Sequence, residues 1–118
     1  MIKILTNQQP QSPCGSTFTN KNISRFILGF NYSLIKNYTF NEMTARDNKK
    51  FQKFLDIVSK LSVREVDEKY ERVLDSTDFY NGLQVRHYEL SDKFRIHVVL
   101  EYGVYYIIRL DPNHRFHN

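Results

Sequence analysis

The sequence predicts an α+β domain: an N-terminal strand, two helices packed on one face of an antiparallel sheet, and a C-terminal three-stranded meander. Two adjoining segments repeat apolar residues at helical spacing, and three later runs are rich in β-branched and aromatic residues. Short turn segments separate those three runs, which is typical of consecutive antiparallel strands. The length of 118 residues fits one such domain.

The chain divides into a polar N-terminal arm, residues 1–25, and a single domain, residues 26–118. With one cysteine, Cys14, the chain cannot form an internal disulfide. No apolar run reaches the roughly 18 residues that a membrane helix requires. We therefore expect a cytoplasmic protein without a membrane partner. The net charge of +4 permits nucleic-acid binding without requiring it.

The first strand is predicted near residues 26–36, where Phe30, Tyr32 and Leu34 alternate with polar residues. A helix follows over about 44–61, because apolar residues recur there at helical spacing. Three lysines lie elsewhere on the same helical wheel. The stripe consists of Phe51, Phe54, Leu55, Val58 and Leu61, and the lysines are Lys49, Lys50 and Lys53.

The second helix has the clearest start signal in the sequence. Ser62 is followed three residues later by Glu65, the pattern of a capping box. The helix is expected to fade near Leu74, and Asn81-Gly82 marks a turn. Its predicted buried stripe is Val63, Val66, Tyr70, Val73 and Leu74.

The last three strands are predicted at 83–90, 94–100 and 104–110. A three-residue loop, Glu101 to Gly103, would pair Leu100 with Val104 and turn both alternating apolar sets towards the helices. Arg95 would then stand opposite Arg109 on the other face, with His97 beside them. Such a pair of like charges needs an anion or solvent to relieve it.

The register of the strand at 83–90 has two readings. Burying Leu83 and Val85 against the helices would place Arg86 and Tyr88 on the Arg95 face, and this register is favoured. A loop one residue longer at 91–93 would instead pair Glu89 with Arg95.

The open sheet face therefore combines arginines with aromatic residues. Guanidinium groups hold phosphates and aromatic rings stack on bases, so this face suits RNA. The competing interpretation is a solvated face whose long side chains cover apolar surface. The face would carry Arg86, Tyr88, Arg95, His97, Tyr105 and Arg109.

The C-terminal tail adds a candidate proton donor. Asp111-Pro112-Asn113 is a turn that would fold His114 back towards the arginines, where an imidazole could act as general acid or base in RNA cleavage. No motif for a metal or a cofactor is predicted. The candidate catalytic residues are Arg95, His97, Arg109 and His114, and the candidate nucleic-acid-binding residues are Arg86, Tyr88, Tyr105 and Arg115.

The element order, with the hairpin formed by residues 94–99 and 103–108, resembles the RelE/YoeB-like toxins of toxin–antitoxin pairs. The late His114, with Phe116 and His117, is similar to the His-aromatic ending of the YoeB-like members. The resemblance implies mRNA cleavage at the ribosome, roles for Arg95 and His114, and neutralisation by an antitoxin. The Asp-Pro-Asn-His ending also resembles small uncharacterised bacterial and phage proteins, which imply no function.

The expected function is accordingly an RNA-binding protein or a metal-independent endoribonuclease toxin without a cofactor, with RNA or the ribosome as partner. The alternative is a non-catalytic protein-binding module, such as a phage-encoded inhibitor of a host protein. It would use the same face or the N-terminal arm.

Overall fold

A computed structural model of the chain describes residues 24–116. In chain order this part contains strand β1, helices α1 and α2, and strands β2 to β5, which confirms the predicted α+β class. A short 3-10 helix precedes α1. The bounds are β1 (Ile27–Gly29), 3-10 helix (Phe40–Glu42), α1 (Ala45–Val58), α2 (Val63–Tyr70), β2 (Phe79–Tyr80), β3 (Leu83–Glu89), β4 (Arg95–Glu101) and β5 (Val104–Asp111).

The five strands form one sheet in the order β1-β5-β4-β3-β2. The three C-terminal strands form the predicted antiparallel meander, but β1 runs parallel to β5, so the sheet is mixed. The predicted first strand ends early, at Gly29. The chain beyond it still follows the edge of β5, because the Ile35 N–H donates to the Ile108 carbonyl over 2.9 Å. The predicted arm lies outside the described residues except for Ser24 and Arg25.

Both helices begin at capping boxes. The Thr44 side chain accepts from the Asp47 N–H at the start of α1, and the predicted box of Ser62 and Glu65 starts α2.

Among residues 24–116, no helix is long and apolar enough to cross a membrane.

Helix α2 stops at Tyr70 rather than near Leu74, because the following chain pairs with the edge of β3. The Arg72 N–H donates to the His87 carbonyl over 2.9 Å, a bond that a continuing helix would not allow. Placing Val73 and Leu74 in the buried stripe was therefore wrong, since they are 93% and 48% exposed.

The main core lies between the helices and one face of the sheet. The β4 residues predicted to face the helices do so, and Phe26 from the start of the domain stacks on Tyr105 with ring centroids 4.6 Å apart. The buried members of this core are Phe26, Phe51, Phe54, Val58, Val63, Val66, Tyr70, Tyr88, Phe94, Ile96, Val98, Tyr105, Ile107 and Leu110.

The hairpin between β4 and β5 has a two-residue loop, so the predicted three-residue loop was wrong. Tyr102 and Gly103 both have positive φ, 50° and 82°, as a type I′ turn requires. Glu101 pairs with Val104, and Leu100 pairs with Tyr105. Tyr105 consequently faces the helices.

A β-bulge at Ile108 then shifts the register. Val98 pairs with Ile107, whereas the preceding residue, His97, pairs with Arg109. Ile107 packs in the main core, and Ile108 packs on the opposite face. The bulge returns Leu110 to the helices and leaves Arg109 pointing away from them.

The face without helices carries a second, smaller core, which was not predicted from the sequence. Val85, Val99 and Ile108 are fully buried there. Because both sheet faces bury apolar side chains, burial of one face alone did not determine the register. The residues packed around this core are Tyr32, Ile35, Tyr80, Leu83 and Tyr106.

Candidate functional site

Arg95 is held by its own hairpin. Glu89 pairs with Arg95 in the ladder, which is the alternative register, and their side chains form a 3.5 Å ion pair. The same guanidinium donates to the carbonyls of Ser91 and Asp92 over 2.8 and 3.0 Å. Asp111, rather than Arg109, lies opposite Arg95. The predicted pair of opposed arginines is therefore wrong.

Three of the predicted nucleic-acid-binding residues face the helices instead of the open face. Tyr88 is fully buried, and its hydroxyl donates to Asp67 over 2.7 Å. Burial, together with this hydrogen bond, raises the pKa of Tyr88. Arg86 lies 3.5 Å from a Glu71 carboxylate oxygen and over the Tyr105 ring. The predicted common face of Arg86, Tyr88 and Tyr105 with Arg95 was wrong. The register of β3 is shifted by one residue, which turns Arg86 and Tyr88 towards the helices, and the two-residue β4–β5 loop does the same for Tyr105.

His97 and Arg109 do share the face away from the helices, and they belong to a buried group that we call the polar sheet cluster: Asp78, His87, His97 and Arg109. Arg109 binds the Asp78 carboxylate through two hydrogen bonds of 2.9 Å. His87 Nε2 lies 2.7 Å from the same carboxylate. The imidazoles of His87 and His97 stack with centroids 4.0 Å apart.

The cluster is capped by the C-terminal turn. The Phe116 ring centroid lies 4.0 Å from the Arg109 guanidinium carbon and 5.1 Å from the His97 ring centroid. The buried Asp111 carboxylate holds this turn, since it accepts from the N–H groups of Arg115 and Phe116 over 2.8 and 2.9 Å.

His114 and Arg115, the last two predicted site residues, lie within this turn. His114 has a φ of 52° and is partly buried, whereas Arg115 is exposed. His117, quoted for the resemblance, lies outside the described residues.

The protonation of the cluster follows from its contacts. Arg109 Nη1 lies 3.2 Å from His97 Nδ1, and a guanidinium can only donate, so this nitrogen accepts and carries no proton. Asp78 supplies the negative charge that a buried Arg109 needs. Asp78 was not predicted from the sequence because it lies in the short segment before β2, 31 positions from Arg109. The available signal was chemical: an arginine and a histidine facing inwards on neighbouring strands require a carboxylate.

Acid should weaken the cluster. Burial alone would raise the pKa of Asp78, but hydrogen bonds from Arg109 and His87 hold it below its ordinary value. A depressed folded pKa contributes stability above the unfolded value of about 4, and that contribution disappears as pH falls through the folded pKa. We expect the difference in unfolding free energy between wild type and Asp78→Asn to shrink below about pH 4. Urea denaturation at a series of pH values measures it, and a constant difference down to the most acidic sample would contradict the assignment.

A second candidate surface lies on the side of α1 next to its buried stripe. At 3.6 residues per turn, four cationic side chains fall within an arc of about 100°. None of them forms an ion pair with another residue in the range 24–116. Of the two acids on this helix, Asp47 binds the Thr44 N–H and Asp56 accepts from Gln52. We call this surface the basic face: Arg46, Lys49, Lys50 and Lys53.

The basic face continues into an open groove of about 1010 Å³. Arg46 and Lys50 line one wall, and Lys93 from the β3–β4 loop lines another. The turn after β5 closes the end of the groove with Pro112 and Asn113. Asp47 and Asp92 also line the groove, so its lining combines three cationic side chains with two carboxylates. In the sequence these lysines indicate only the polar side of an amphipathic helix.

Among the described residues, no three His, Cys, Asp or Glu side chains converge as a metal site would require.

Comparison of the chain with models of protein families, with curated proteins and with solved structures found no match.

Proposed function

We propose that this protein binds RNA and that it holds RNA phosphates on the basic face of α1. The observation that carries the proposal is the distribution of ion pairs. Arg86, Arg95 and Arg109 on the sheet are each paired with carboxylates, whereas the cations of the basic face have no such partner in the described part of the chain. A phosphate can bind to the helix without displacing an internal carboxylate.

The proposal concerns binding rather than cleavage. Cleavage of RNA needs a proton-transferring group within hydrogen-bond reach of the reacting oxygen. His97 is fully buried and Arg109 is 6% exposed, and Phe116 covers both. Their contacts are those of a stabilising cluster. The basic face, by contrast, is largely exposed, and Arg46 and Lys50 also line an open groove.

Binding through phosphates should depend strongly on salt. Each neutralised phosphate of a single strand contributes about −0.7 to the slope of log K against log salt concentration, so four contacts give a slope of about −3. RNA is favoured over a protein partner because the face combines several cations with few apolar side chains.

The test is fluorescence anisotropy with a labelled 20-nucleotide RNA. Changing Arg46, Lys49, Lys50 and Lys53 together to glutamine should weaken binding roughly 100-fold near 0.1 M salt and flatten the salt slope towards zero. The matched control removes four positive charges elsewhere, by changing Lys36, Lys60, Arg64 and Lys69 to glutamine. It should retain most of the affinity and the slope.

Two results would overturn the proposal. Equal loss in both variants would mean that net charge, rather than this face, attracts the RNA. No measurable RNA binding by the wild type would leave the protein-binding module as the better candidate. Val73, Leu74 and Phe79, exposed along the β3 edge of the sheet, provide an apolar surface for that role.

A further inference from the structure

We infer that the RNA bound by this protein is single-stranded and that its bases stack on an aromatic platform formed by Phe30 and Phe40. This inference rests on the proposed function and specifies its substrate class. The two rings come from separate segments, the end of β1 and the 3-10 helix before α1. Their centroids are 5.8 Å apart at an interplanar angle of 43°, and the residues remain 53% and 49% exposed.

The turn that carries Phe40 is held by three hydrogen bonds. The Thr39 N–H donates to the Glu42 carboxylate over 2.7 Å, and the Thr39 hydroxyl accepts from the Asn41 N–H. The Met43 N–H then donates to the Phe40 carbonyl over 3.0 Å. Phe40 therefore sits on a capped turn, so the backbone that carries its ring is already ordered before a base stacks on it.

The location of the platform favours a nucleic acid over an apolar protein surface. Phe40 precedes Arg46 by only six positions, so at most about 22 Å of chain separates the platform from the basic face. A strand that places phosphates on the helix can bring neighbouring bases onto the rings. Single-strand binding sites commonly combine a cationic track with aromatic side chains in this way.

The bases must be unpaired for this contact. In a duplex the flat faces of the bases are covered by their neighbours, and a phenyl ring has no hydrogen-bonding group with which to read an exposed edge. Phenylalanine stacks on any base, so the platform selects single strands without selecting a sequence.

The chain contains no tryptophan, so a single introduced tryptophan would be the only source of indole fluorescence. Phe40→Trp places one indole on the platform, and stacking of a base should quench its fluorescence when a 20-nucleotide oligouridylate binds. Phe30→Ala and Phe40→Ala should each weaken oligouridylate binding roughly 5- to 100-fold, the range of one lost base stack. A blunt RNA duplex of equal length should bind these variants and the wild type alike.

Tyr102→Ala is the matched control, because Tyr102 is a fully exposed aromatic residue on the β4–β5 turn and does not belong to the ring pair. It should bind oligouridylate as the wild type does. The inference is overturned if the indole is not quenched at saturating RNA, or if the two alanine variants keep full affinity while the glutamine variant of the basic face loses it. The second pattern would leave RNA binding intact and assign the aromatic pair to a protein contact. Failure of the glutamine variant to lose affinity would instead remove the proposed function.

Discussion

Asp78→Asn is expected to lower the free energy of unfolding by about 3–5 kcal/mol, because it leaves a buried guanidinium without its counter-charge. Asp78 and Arg109 are 6% exposed, and two hydrogen bonds of 2.9 Å join them. Asparagine preserves the side-chain volume but carries no charge to neutralise Arg109. Its amide has one oxygen acceptor, whereas both carboxylate oxygens of Asp78 accept hydrogen bonds from Arg109. Urea denaturation followed by circular dichroism measures the change.

A double-mutant cycle separates this pair from general damage to the core. Combining Asp78→Asn with Arg109→Gln should cost less than the sum of the two single changes, since removing both charges leaves neither one buried alone. Asp92→Asn, an exposed carboxylate on the β3–β4 loop, should change the stability by no more than about 0.5 kcal/mol. Strict additivity in the cycle would show that the pair does not act as a unit.

Phe26→Ala is expected to cost about 3–5 kcal/mol, the usual range for truncating a buried phenylalanine. Phe26 is 7% exposed and lies against three aromatic rings. Its centroid is 4.6 Å from that of Tyr105, 5.8 Å from Tyr88 and 6.5 Å from Phe54. The residue therefore connects β1 to the sheet and to α1, and its loss opens a cavity at that junction.

The comparison for Phe26 is Phe79→Ala. Phe79 is 56% exposed on the edge strand β2, so its truncation should cost under about 1 kcal/mol. Thermal and urea unfolding of both variants give the measurement. Equal losses would mean that Phe26 packs no more tightly than a surface ring, contrary to its contacts.

The local elements were predictable because their signals are local. The apolar stripe with Phe51, Phe54 and Val58 required one amphipathic helix, and the capping box of Ser62 and Glu65 placed the start of the next within one residue. Asn81-Gly82 forms the predicted turn, with both residues at positive φ. These features depend on residues a few positions apart, so no knowledge of the rest of the chain was needed.

The candidate site was only partly predictable, because the face of each side chain depends on strand register. His97 and Arg109 were correctly predicted to point away from the helices. The type I′ turn at Tyr102-Gly103 and the bulge at Ile108 were not predicted, and they pair Arg109 with His97 instead of Arg95. The shift of β3 by one residue carried Arg86 and Tyr88 to the other side. A register shift of one residue moves every side chain of a strand to the other face of the sheet, and the amino-acid composition does not reveal such a shift.

Local patterns of residues were enough to predict the fold class, the two helices and the three C-terminal strands, whereas the short strand β2 was not predicted. Which cationic side chains are left without a carboxylate depends on the tertiary structure, because Asp78 and Arg109 are 31 positions apart and meet only when the sheet has formed. Buried cations recruit carboxylates wherever the fold brings them within reach, since an unpaired buried charge is too costly to keep. The charges of α1 stay in solvent, where no such requirement applies.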